Sequence, residues 1–461
     1  ESPAVRNRIV NSSLQTAIAS NPAPLYRKSF AQRITIGNFD DDISKIGSCD
    51  WIIEVVIERL DIKQKVFEQV EKYRTPGTLI TSNTSGIPIH MMLDGRSDDF
   101  KAHFCGSHFF NPPRYLHLLE IIPTPSTKPE VVDFLMDYGS RFLGKKTVLC
   151  KDTPAFIANR VGVFSIMALF HAVKEMNLTV EEVDKLTGPV LGRPKSATFR
   201  TCDVVGLDTL VHVANGLKAN CPTDEEKALF ELPDYISKMV ENNWLGSKSE
   251  QGFYKKVKTA DGNSEILVLD LNTLEYRSAE KVKFPTLEMT KPIDDLKQRT
   301  KMLFMGVDKA GEFYRKLFAG LFAYVSNRLP EITDDLYKID DALKAGFGWE
   351  LGPFETWDII GLDQGLKLIG DNNKQVATWV SEMKASGISS FYKLDKGQKQ
   401  FYDVSSKSYK TIPGTENLVI LDALRSENKV WGNADTTIVN LGDGILNIEF
   451  HTKMNTIGGG V

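Results

Sequence analysis

The chain of 461 residues has few cysteines, no long apolar run and no large excess of charge of either sign. The five cysteines are scattered, with no Cys-x-x-Cys pair, which fits poorly with a disulfide framework and predicts a reducing, cytoplasmic compartment. No apolar run reaches the roughly 18 residues that predict a membrane-spanning helix. The 56 Lys and Arg residues against 60 Asp and Glu residues give a net charge of −4, so nothing indicates nucleic-acid or anionic-membrane binding. Small-molecule chemistry is the better hypothesis.

Several motifs of enzyme chemistry are also missing from the sequence. The seven histidines show no His-x-x-x-His or cysteine-paired spacing, so no metal site is predicted. There is no P-loop and no Gly-x-Ser-x-Gly elbow. The chain opens at Glu1 with neither a signal-peptide nor a transit-peptide pattern, and we expect it to be a piece of a longer protein.

The first third of the chain alternates strand and helix patterns. Residues 51–57 form an apolar run rich in β-branched side chains, which predicts a parallel strand covered on both faces. Residues 62–73 predict a helix, and residues 78–82 and 106–110 predict two further strands. Residues 1–153 are therefore expected to form the later strands of an incomplete doubly wound α/β sheet.

From residue 154 the pattern becomes helical, and part of it occurs twice. Residues 183–208 are echoed by residues 339–363, which predicts an all-α domain in two copies. In this register Arg315 stands opposite Asn159, so the second copy is expected to lack the function of Asn159. The predicted divisions are an α/β domain at 1–153, a first helical copy at 154–256, a linker with a hairpin at 257–290, a second helical copy at 291–428, and a final segment at 429–461 with strands at 437–441 and 445–450.

Two polar side chains stand in neighbouring apolar segments of the α/β domain. His108 lies in a predicted strand, and Glu120 follows in a second strand-like segment after a turn. A buried carboxylate next to a histidine fixes the imidazole tautomer and raises its basicity, so the pair predicts a general base. The alternative is a histidine that is only a satisfied core residue.

A second group of polar residues lies where the predicted strands end. Residues 82–86, Ser-Asn-Thr-Ser-Gly, close a strand at the carboxyl edge of the sheet, where hydroxyl groups can hold a substrate or cofactor. The alternative is an ordinary turn. Glu58 and Lys63 stand between the preceding strand and its helix, and the alternative for them is a solvated helix start.

Four motifs occur in one order along the α/β domain and the start of the helical region. They are Ser-Asn-Thr-Ser at 82–85, Ser-His-Phe-Phe-Asn-Pro at 107–112, Leu-Glu-Ile-Ile at 119–122 and Lys-Asp-Thr-Pro-Ala-Phe-Ile-Ala-Asn-Arg at 151–160. Together they resemble the NAD-dependent 3-hydroxyacyl-CoA dehydrogenases. The similarity continues through Gly-Phe-Tyr at 252–254 and covers about residues 1–256.

The resemblance implies the oxidation of (3S)-3-hydroxyacyl-CoA to 3-ketoacyl-CoA with NAD+, and it assigns roles to several residues. His108 would take the proton from the 3-hydroxyl of the substrate, and Glu120 would orient His108. Ser85 would hydrogen-bond the substrate oxygen, and Asn159 would hold the substrate across a cleft between domains. The residues implied for NAD binding are Glu58, Lys63, Ser85, Asn111 and Lys248.

The resemblance also implies a larger architecture. It predicts a Rossmann-like NAD-binding domain, two copies of a helical dehydrogenase domain and, from Ile-Glu-Phe-His-Thr-Lys-Met-Asn at 448–455, the first strands of an enoyl-CoA hydratase (crotonase) domain. This is the layout of a bacterial fatty-acid β-oxidation fusion, whose pathway implies thiolase and acyl-CoA dehydrogenase as partners. The family opens with a Gly-x-Gly-x-x-Gly unit, which is missing from this sequence. The second helical copy would make a monomer possible through a pseudo-dimeric arrangement, and a homodimer is the other expectation.

Two other functions stay open at this point. The chain could be a non-catalytic fragment of the multifunctional enzyme that binds acyl-CoA or organises partner domains, which the missing glycine-rich unit favours. It could also be a related dehydrogenase that acts on a small free 3-hydroxy acid.

Overall fold

A computed structural model describes residues 2–259, 261–395, 397–416 and 418–461 of the chain. The N-terminal region is built on a five-stranded sheet whose strands lie side by side in chain order. All neighbouring strands are parallel except the third and fourth, which pair antiparallel. The strands are β1 (Trp51–Glu54), β2 (Leu79–Ser82), β3 (Phe104–Phe109), β4 (Leu118–Pro123) and β5 (Lys146–Leu149). The helices are α1 (Pro3–Arg6), α2 (Arg8–Ala19), α3 (Phe39–Asp42), α4 (Leu60–Tyr73), α5 (Asp98–Ala102) and α6 (Pro129–Arg141).

Helices α4 and α6 cover opposite faces of this sheet. The helix predicted over residues 62–73 is confirmed as α4, whose Phe67 ring lies 5.1 Å from the ring of Phe104 on β3. On the other face, Leu135 of α6 belongs to the same apolar cluster as Leu79 of β2. Successive strand residues point to opposite faces, so one short sheet supports both layers.

The prediction that the strand at 51–57 is covered on both faces is wrong. Strand β1 ends at Glu54, and the side chains of Ile53 and Val55 are 43% and 67% exposed. Strand β1 stands at one end of the sheet, and within the described residues its only strand neighbour is β2. Ile53 and Val55, at this end of the sheet, are therefore left uncovered.

The helical region contains two units that follow each other along the chain. The first helical unit consists of α7 (Ala158–Glu175), α8 (Val180–Thr187), α9 (Phe199–Val205), α10 (Leu207–Asn220), α11 (Asp234–Glu241) and the antiparallel strands β6 (Tyr254–Lys258), β7 (Ser264–Leu269) and β8 (Tyr276–Ser278). Helix α12 (Pro285–Thr290) connects it to the second. The second helical unit consists of α13 (Leu296–Met305), α14 (Lys309–Asn327), α15 (Leu336–Phe347), α16 (Pro353–Ile360), α17 (Leu362–Asp371), α18 (Thr378–Ala385) and the antiparallel strands β9 (Tyr392–Asp395), β10 (Gln398–Asp403) and β11 (Ser408–Thr411).

Each unit uses a buried aspartate at an equivalent position to attach its strands to its helices. Asp203 of α9 accepts hydrogen bonds from the backbone N–H groups of residues 253–254 at 2.8 and 2.9 Å. Asp358 of α16 accepts from those of residues 391–392, both at 2.8 Å. Each carboxylate thus satisfies two backbone donors where a strand begins.

The second helical unit packs against both the first unit and the sheet. Helix α14 lies along α7, where the ring of Tyr324 stacks on that of Phe164 at 3.7 Å. Helix α15 lies against α7 and β5, and Asp341 forms an ion pair of 2.9 Å with Lys146. The three parts of the chain therefore meet around the N-terminus of α7.

The last segment forms a separate small sheet. The strands predicted at 437–441 and 445–450 are confirmed as the middle and last of three antiparallel strands. Its elements are α19 (Leu421–Asn428), β12 (Lys429–Gly432), β13 (Thr436–Gly442) and β14 (Ile445–Phe450). Within the described ranges, every helix is too short or too polar to span a lipid bilayer.

Candidate active site

Strands β3 and β4 place His108 and Glu120 directly opposite each other. The antiparallel register pairs the two residues, and opposite residues of such a pair point to the same face. His108 Nδ1 lies 2.7 Å from Glu120 Oε2, and Glu120 is completely buried. A carboxylate can only accept here, so Nδ1 donates and Nε2 keeps its lone pair. This arrangement suits a general base better than a passive core histidine.

The other oxygen of Glu120 is held by the first turn of α7. Glu120 Oε1 accepts hydrogen bonds from the backbone N–H groups of Ile157 and Ala158, at 3.1 and 2.8 Å. The chain reaches this position through Ala155 and Phe156, whose φ angles of 60° and 53° lie in the left-handed region that L-residues rarely adopt. The positive end of the helix dipole also favours the carboxylate. The first helical unit therefore holds the Glu120 oxygen that does not contact His108.

Other groups surround the imidazole of His108. The rings of Phe110 and Phe156 lie 4.7 and 5.7 Å from it, which gives the pair an apolar border. Asn159 follows the amides that bind Glu120; it is half-buried, and its side chain forms no hydrogen bond to any described residue. Cys150, which the sequence did not single out, is buried, and burial together with the nearby Glu120 charge raises the pKa of its thiol well above the usual value. That thiol stays protonated and adds no charge to the site.

Glu58 is the centre of a second polar cluster. Its Oε1 accepts from the Thr84 hydroxyl at 2.6 Å and from the backbone N–H groups of Ser85 and Gly86 at 2.9 and 3.0 Å. Burial acts to raise the pKa of Glu58, but the hydrogen bond from Thr84 and the charge of Lys63 hold it below its usual range. Glu58 is therefore a fixed carboxylate at neutral pH, and the Ser85 hydroxyl lies 3.3 Å from it.

Lys63 is buried within this cluster, which contradicts the alternative of a solvated helix start. Its side chain is 1% exposed, and Nζ lies 2.9 Å from Glu54 Oε1 and 3.4 Å from Glu58 Oε2. Glu54 also accepts a hydrogen bond of 2.6 Å from the Ser82 hydroxyl. Sequence reasoning missed Glu54, although a single carboxylate inside the apolar run 51–57 was a usable signal for it.

Asn83 connects the two clusters and was also missed as an individual residue. Its backbone N–H donates to the carbonyl oxygen of Glu54 at 2.9 Å, and its side-chain oxygen accepts from the N–H of Phe109, also at 2.9 Å. Phe109 follows His108 on β3. The Glu58 and His108 clusters thus share the carboxyl edge of the parallel strands, where open α/β sheets bind their ligands.

The other residues predicted to bind NAD form no contact with the Glu58 or His108 cluster through hydrogen bonds or ion pairs of their side chains. Asn111 is exposed just beyond β3. Lys248 forms an ion pair with Asp208 in the first helical unit and makes no hydrogen bond or ion pair with the other predicted site residues. Among the described residues there is no group of three or more His, Cys, Asp or Glu side chains that could hold a metal ion.

Comparisons with known families match most of the chain. Residues 5–153 match the family model described as "3-hydroxyacyl-CoA dehydrogenase, NAD binding domain". Residues 156–256 and 311–400 match "3-hydroxyacyl-CoA dehydrogenase, C-terminal domain". The two helical units therefore both carry a match to the same C-terminal domain.

Individual relatives agree with these matches. A probable 3-hydroxyacyl-CoA dehydrogenase of Bacillus subtilis is 42% identical over 459 residues, which is 99% of this chain and 57% of that protein. A protein of Deinococcus radiodurans with the same description is 45% identical over 253 residues, 55% of this chain and 72% of that protein. A putative fatty acid oxidation complex trifunctional enzyme of Rickettsia felis is 32% identical over 358 residues, 77% of this chain and 48% of that protein. The chain thus spans little more than half the length of the Bacillus relative.

Proposed function

Because the chain belongs to the 3-hydroxyacyl-CoA dehydrogenase family, we propose that its full-length protein oxidises (3S)-3-hydroxyacyl-CoA to 3-ketoacyl-CoA with NAD+ in fatty-acid β-oxidation. The observation that carries this proposal is the His108–Glu120 pair, in which Nδ1 donates to a buried carboxylate at 2.7 Å and leaves Nε2 able to accept a proton. The relative described as a fatty acid oxidation enzyme supports the pathway.

The proposed mechanism begins with a proton transfer at His108. Nε2 takes the proton of the substrate's 3-hydroxyl, and the Glu120 carboxylate stabilises the resulting imidazolium through Nδ1. When bound, NAD+ supplies the acceptor for the hydride that leaves carbon 3. Ser85 hydrogen-bonds the substrate oxygen. Asn159, whose side chain forms no hydrogen bond to any described residue, holds the substrate from the side of the first helical unit. In the reverse direction His108 returns the proton to the 3-keto oxygen.

The residues proposed to bind NAD differ in how directly each could contact the cofactor. Glu58 presents a fixed carboxylate, 24% exposed, that can accept from ribose hydroxyls. Lys63 is proposed to act through Glu58, because its ammonium is buried between two carboxylates. Ser85 and Asn111 stand at the same edge of the sheet. Lys248 is proposed from the family resemblance, and its pairing with Asp208 leaves it available only if that ion pair opens.

We further propose that a glycine-rich strand unit precedes Glu1 in the natural protein. The sequence has no Gly-x-Gly-x-x-Gly to cradle the pyrophosphate. Two features of β1 support the proposal: Ile53 is exposed at the sheet end, and a cleft of about 510 Å³ lined by Trp51, Leu79 and Phe134 lies beside it. A further strand and helix would cover both.

The last segment supports a fusion with an enoyl-CoA hydratase domain. In the small sheet β12–β14, the apolar side chains of Trp431, Ile445 and Leu446 are 51%, 57% and 57% exposed, as expected of strands whose partners lie outside residues 1–461. One relative is described as a trifunctional enzyme, which supports a chain that carries more than one activity. Thiolase and acyl-CoA dehydrogenase partners, and a cytoplasmic location, belong to the same proposal.

The two helical units support a duplicated domain with pseudo-twofold packing. Gly192 and Gly348 are counterparts in the sequence repeat, as are Pro194 and Glu350. The carbonyl oxygen of Gly192 accepts a hydrogen bond of 2.8 Å from the backbone N–H of Glu350. In turn, Gly348 packs on the Pro194 ring. Such reciprocal contacts are typical of a twofold interface. We therefore propose that the second copy takes the place of a dimer partner and that the protein is a monomer, with a homodimer as the alternative.

The experiment for this proposal measures NADH consumption with acetoacetyl-CoA. We expect the natural full-length protein to consume NADH rapidly and the chain of residues 1–461 to be much slower, because it lacks the pyrophosphate cradle. Binding of acetoacetyl-CoA without turnover by the full-length protein would contradict the proposal and favour the scaffold function. Turnover of free acetoacetate in place of its CoA thioester would favour the small-acid dehydrogenase.

A further inference from the structure

We propose that the second helical unit is a positioning element for the His108–Glu120 pair, and that it acts through Tyr324 and Arg328 on Arg160 of α7. The inference rests on the proposed dehydrogenase function and adds to it a role for a part of the chain that contributes no predicted catalytic residue. It is carried by a buried network that joins the two helical units directly behind the amides that hold Glu120.

Arg160 is the centre of this network. The residue is completely buried, which is unusual for an arginine, and all three guanidinium nitrogens are engaged. Nη2 lies 2.7 Å from Asp224 Oδ2, Nη1 donates to Cys221 Sγ at 2.7 Å, and Nε donates to the Tyr324 hydroxyl at 2.7 Å. The position of Arg160 is therefore fixed by its partners rather than by solvent.

The second helical unit supplies a large share of those partners. The Tyr324 hydroxyl, besides accepting from Arg160, donates to Asp224 at 2.9 Å. Arg328 donates to the same Asp224 oxygen at 3.2 Å. Glu331 pairs with Arg160 at 3.1 Å and with Arg328 at 2.9 Å. A change in this unit would therefore leave buried charges of the first unit incompletely paired.

The network lies within one helical turn of the amides that bind Glu120. Arg160 is two residues beyond Ala158, whose N–H donates to Glu120, and directly follows Asn159. The preceding Ala155 and Phe156 adopt left-handed φ angles, which persist only where surrounding contacts hold them. Holding Arg160 thus holds the turn that aims two amides at Glu120, and through Glu120 it sets the position of His108.

The same unit also reaches the imidazole from another side. Phe347, at the end of α15, packs into the notch left by Gly162 of α7. Its ring lies 6.2 Å from that of Phe110, which in turn lies 4.7 Å from the imidazole of His108. The second helical unit therefore contacts both the helix behind Glu120 and the ring beside His108.

The test compares two Tyr→Phe substitutions on α14 in the natural full-length protein. Tyr324→Phe removes the hydroxyl that Arg160 and Asp224 use. Tyr314→Phe is the matched control, because Tyr314 is equally buried and its hydroxyl donates to the first unit at Leu186 O, 2.9 Å away, without contacting Arg160. Both variants lose one hydroxyl at the same interface, so a general loss of stability affects both.

We expect Tyr324→Phe to lower kcat for acetoacetyl-CoA reduction by about tenfold, since small misplacements of catalytic groups have effects of this order, and Tyr314→Phe to leave it within about twofold. The KM for NADH stays unchanged in both, because the Glu58 cluster is untouched. Reduction needs the protonated imidazole, so the high-pH limb of its kcat profile moves to lower pH only in Tyr324→Phe, since a loosened carboxylate stabilises the protonated form less.

Equal kcat values and superimposable pH profiles for the two variants would overturn the inference. If Tyr324→Phe fails to fold by near-ultraviolet circular dichroism, Arg328→Gln replaces it, with the same expected fall and pH shift and the same contradicting result. A wild-type protein with no dehydrogenase activity would instead contradict the proposed function, and the inference with it. Wild-type activity with equal variants contradicts the inference alone.

Discussion

At the scale of single residues, the helical units depend on carboxylates that are costly to ionise. Asp203 and Asp358 each satisfy two backbone N–H groups, yet burial raises the pKa of Asp203 to about 6 and that of Asp358 to about 7. These hydrogen bonds favour the charged form, but desolvation outweighs them. The carboxylates therefore secure the start of a strand at the expense of stability at neutral pH.

This balance predicts a pH dependence of unfolding. The folded-state pKa values lie above the ordinary value of 3.8, so the folded state binds more protons than the unfolded state between about pH 4 and pH 8. The stability from these groups is fully present below their unfolded pKa and is lost as the pH rises through 6 and 7. Carboxyls with lowered pKa, such as Glu58, are ionised in both states above about pH 5 and add no slope there.

Thermal unfolding of the wild type is therefore expected to show a falling Tm between about pH 5 and pH 8. Asp358→Asn should lower the Tm at pH 5, because one backbone donor loses its acceptor, and should also reduce the pH slope, because one titrating group is gone. A slope in Asp358→Asn as steep as in the wild type would show that Asp358 does not carry the effect.

At the scale of elements, α7 is defined by close contact with its neighbours. A Cβ added at Gly162 would come 2.2 Å from a ring atom of Phe347, whereas a Cβ at Gly320 of α14 would have no heavy atom within 4 Å. The two glycines stand inside long helices but differ in what they meet. Gly162 permits the approach of α15, and Gly320 only weakens its helix.

Substitution of the two glycines by alanine is expected to act in opposite directions. Gly162→Ala should lower the free energy of unfolding by about 1–3 kcal/mol through overpacking against Phe347. Gly320→Ala should raise it by roughly 0.5–1 kcal/mol, as usual for an open helical position. Denaturant titrations at one pH measure both, and similar effects of the same sign would contradict the described packing of α7 and α15.

Element prediction from the sequence succeeded where a local pattern was enough. The periodicity at 62–73 predicts α4, and the apolar runs predict β2 and β3 within a few residues. The two-sided burial of residues 51–57 could not be judged in this way, because the cover of Ile53 depends on which strand and helix lie beside β1 and not on the residues of β1 itself.

At the scale of the whole molecule, the repeat within the helical region was readable, but its energetic role was not. The echo of residues 183–208 in residues 339–363 shows directly in the sequence. The contact of Arg160 with Tyr324 joins positions 164 residues apart and follows no period, so only the fold brings them together. Likewise, the pairing of His108 with Glu120 could be predicted from their motifs. The role of Asn83 could not, because it depends on hydrogen bonds to the backbone of two neighbouring strands.

The central claim is that His108 is the base of a 3-hydroxyacyl-CoA dehydrogenase, and it is tested most directly by the kcat of His108→Gln in the natural full-length protein. His212→Gln, at an exposed position on α10, is the matched control. We predict that His108→Gln lowers kcat for NADH-dependent acetoacetyl-CoA reduction at least about a hundredfold, as expected for loss of a general acid or base, while the Tm and acetoacetyl-CoA binding stay near wild type. His212→Gln should keep wild-type kcat. A His108→Gln protein that turns over as fast as the wild type would contradict the account.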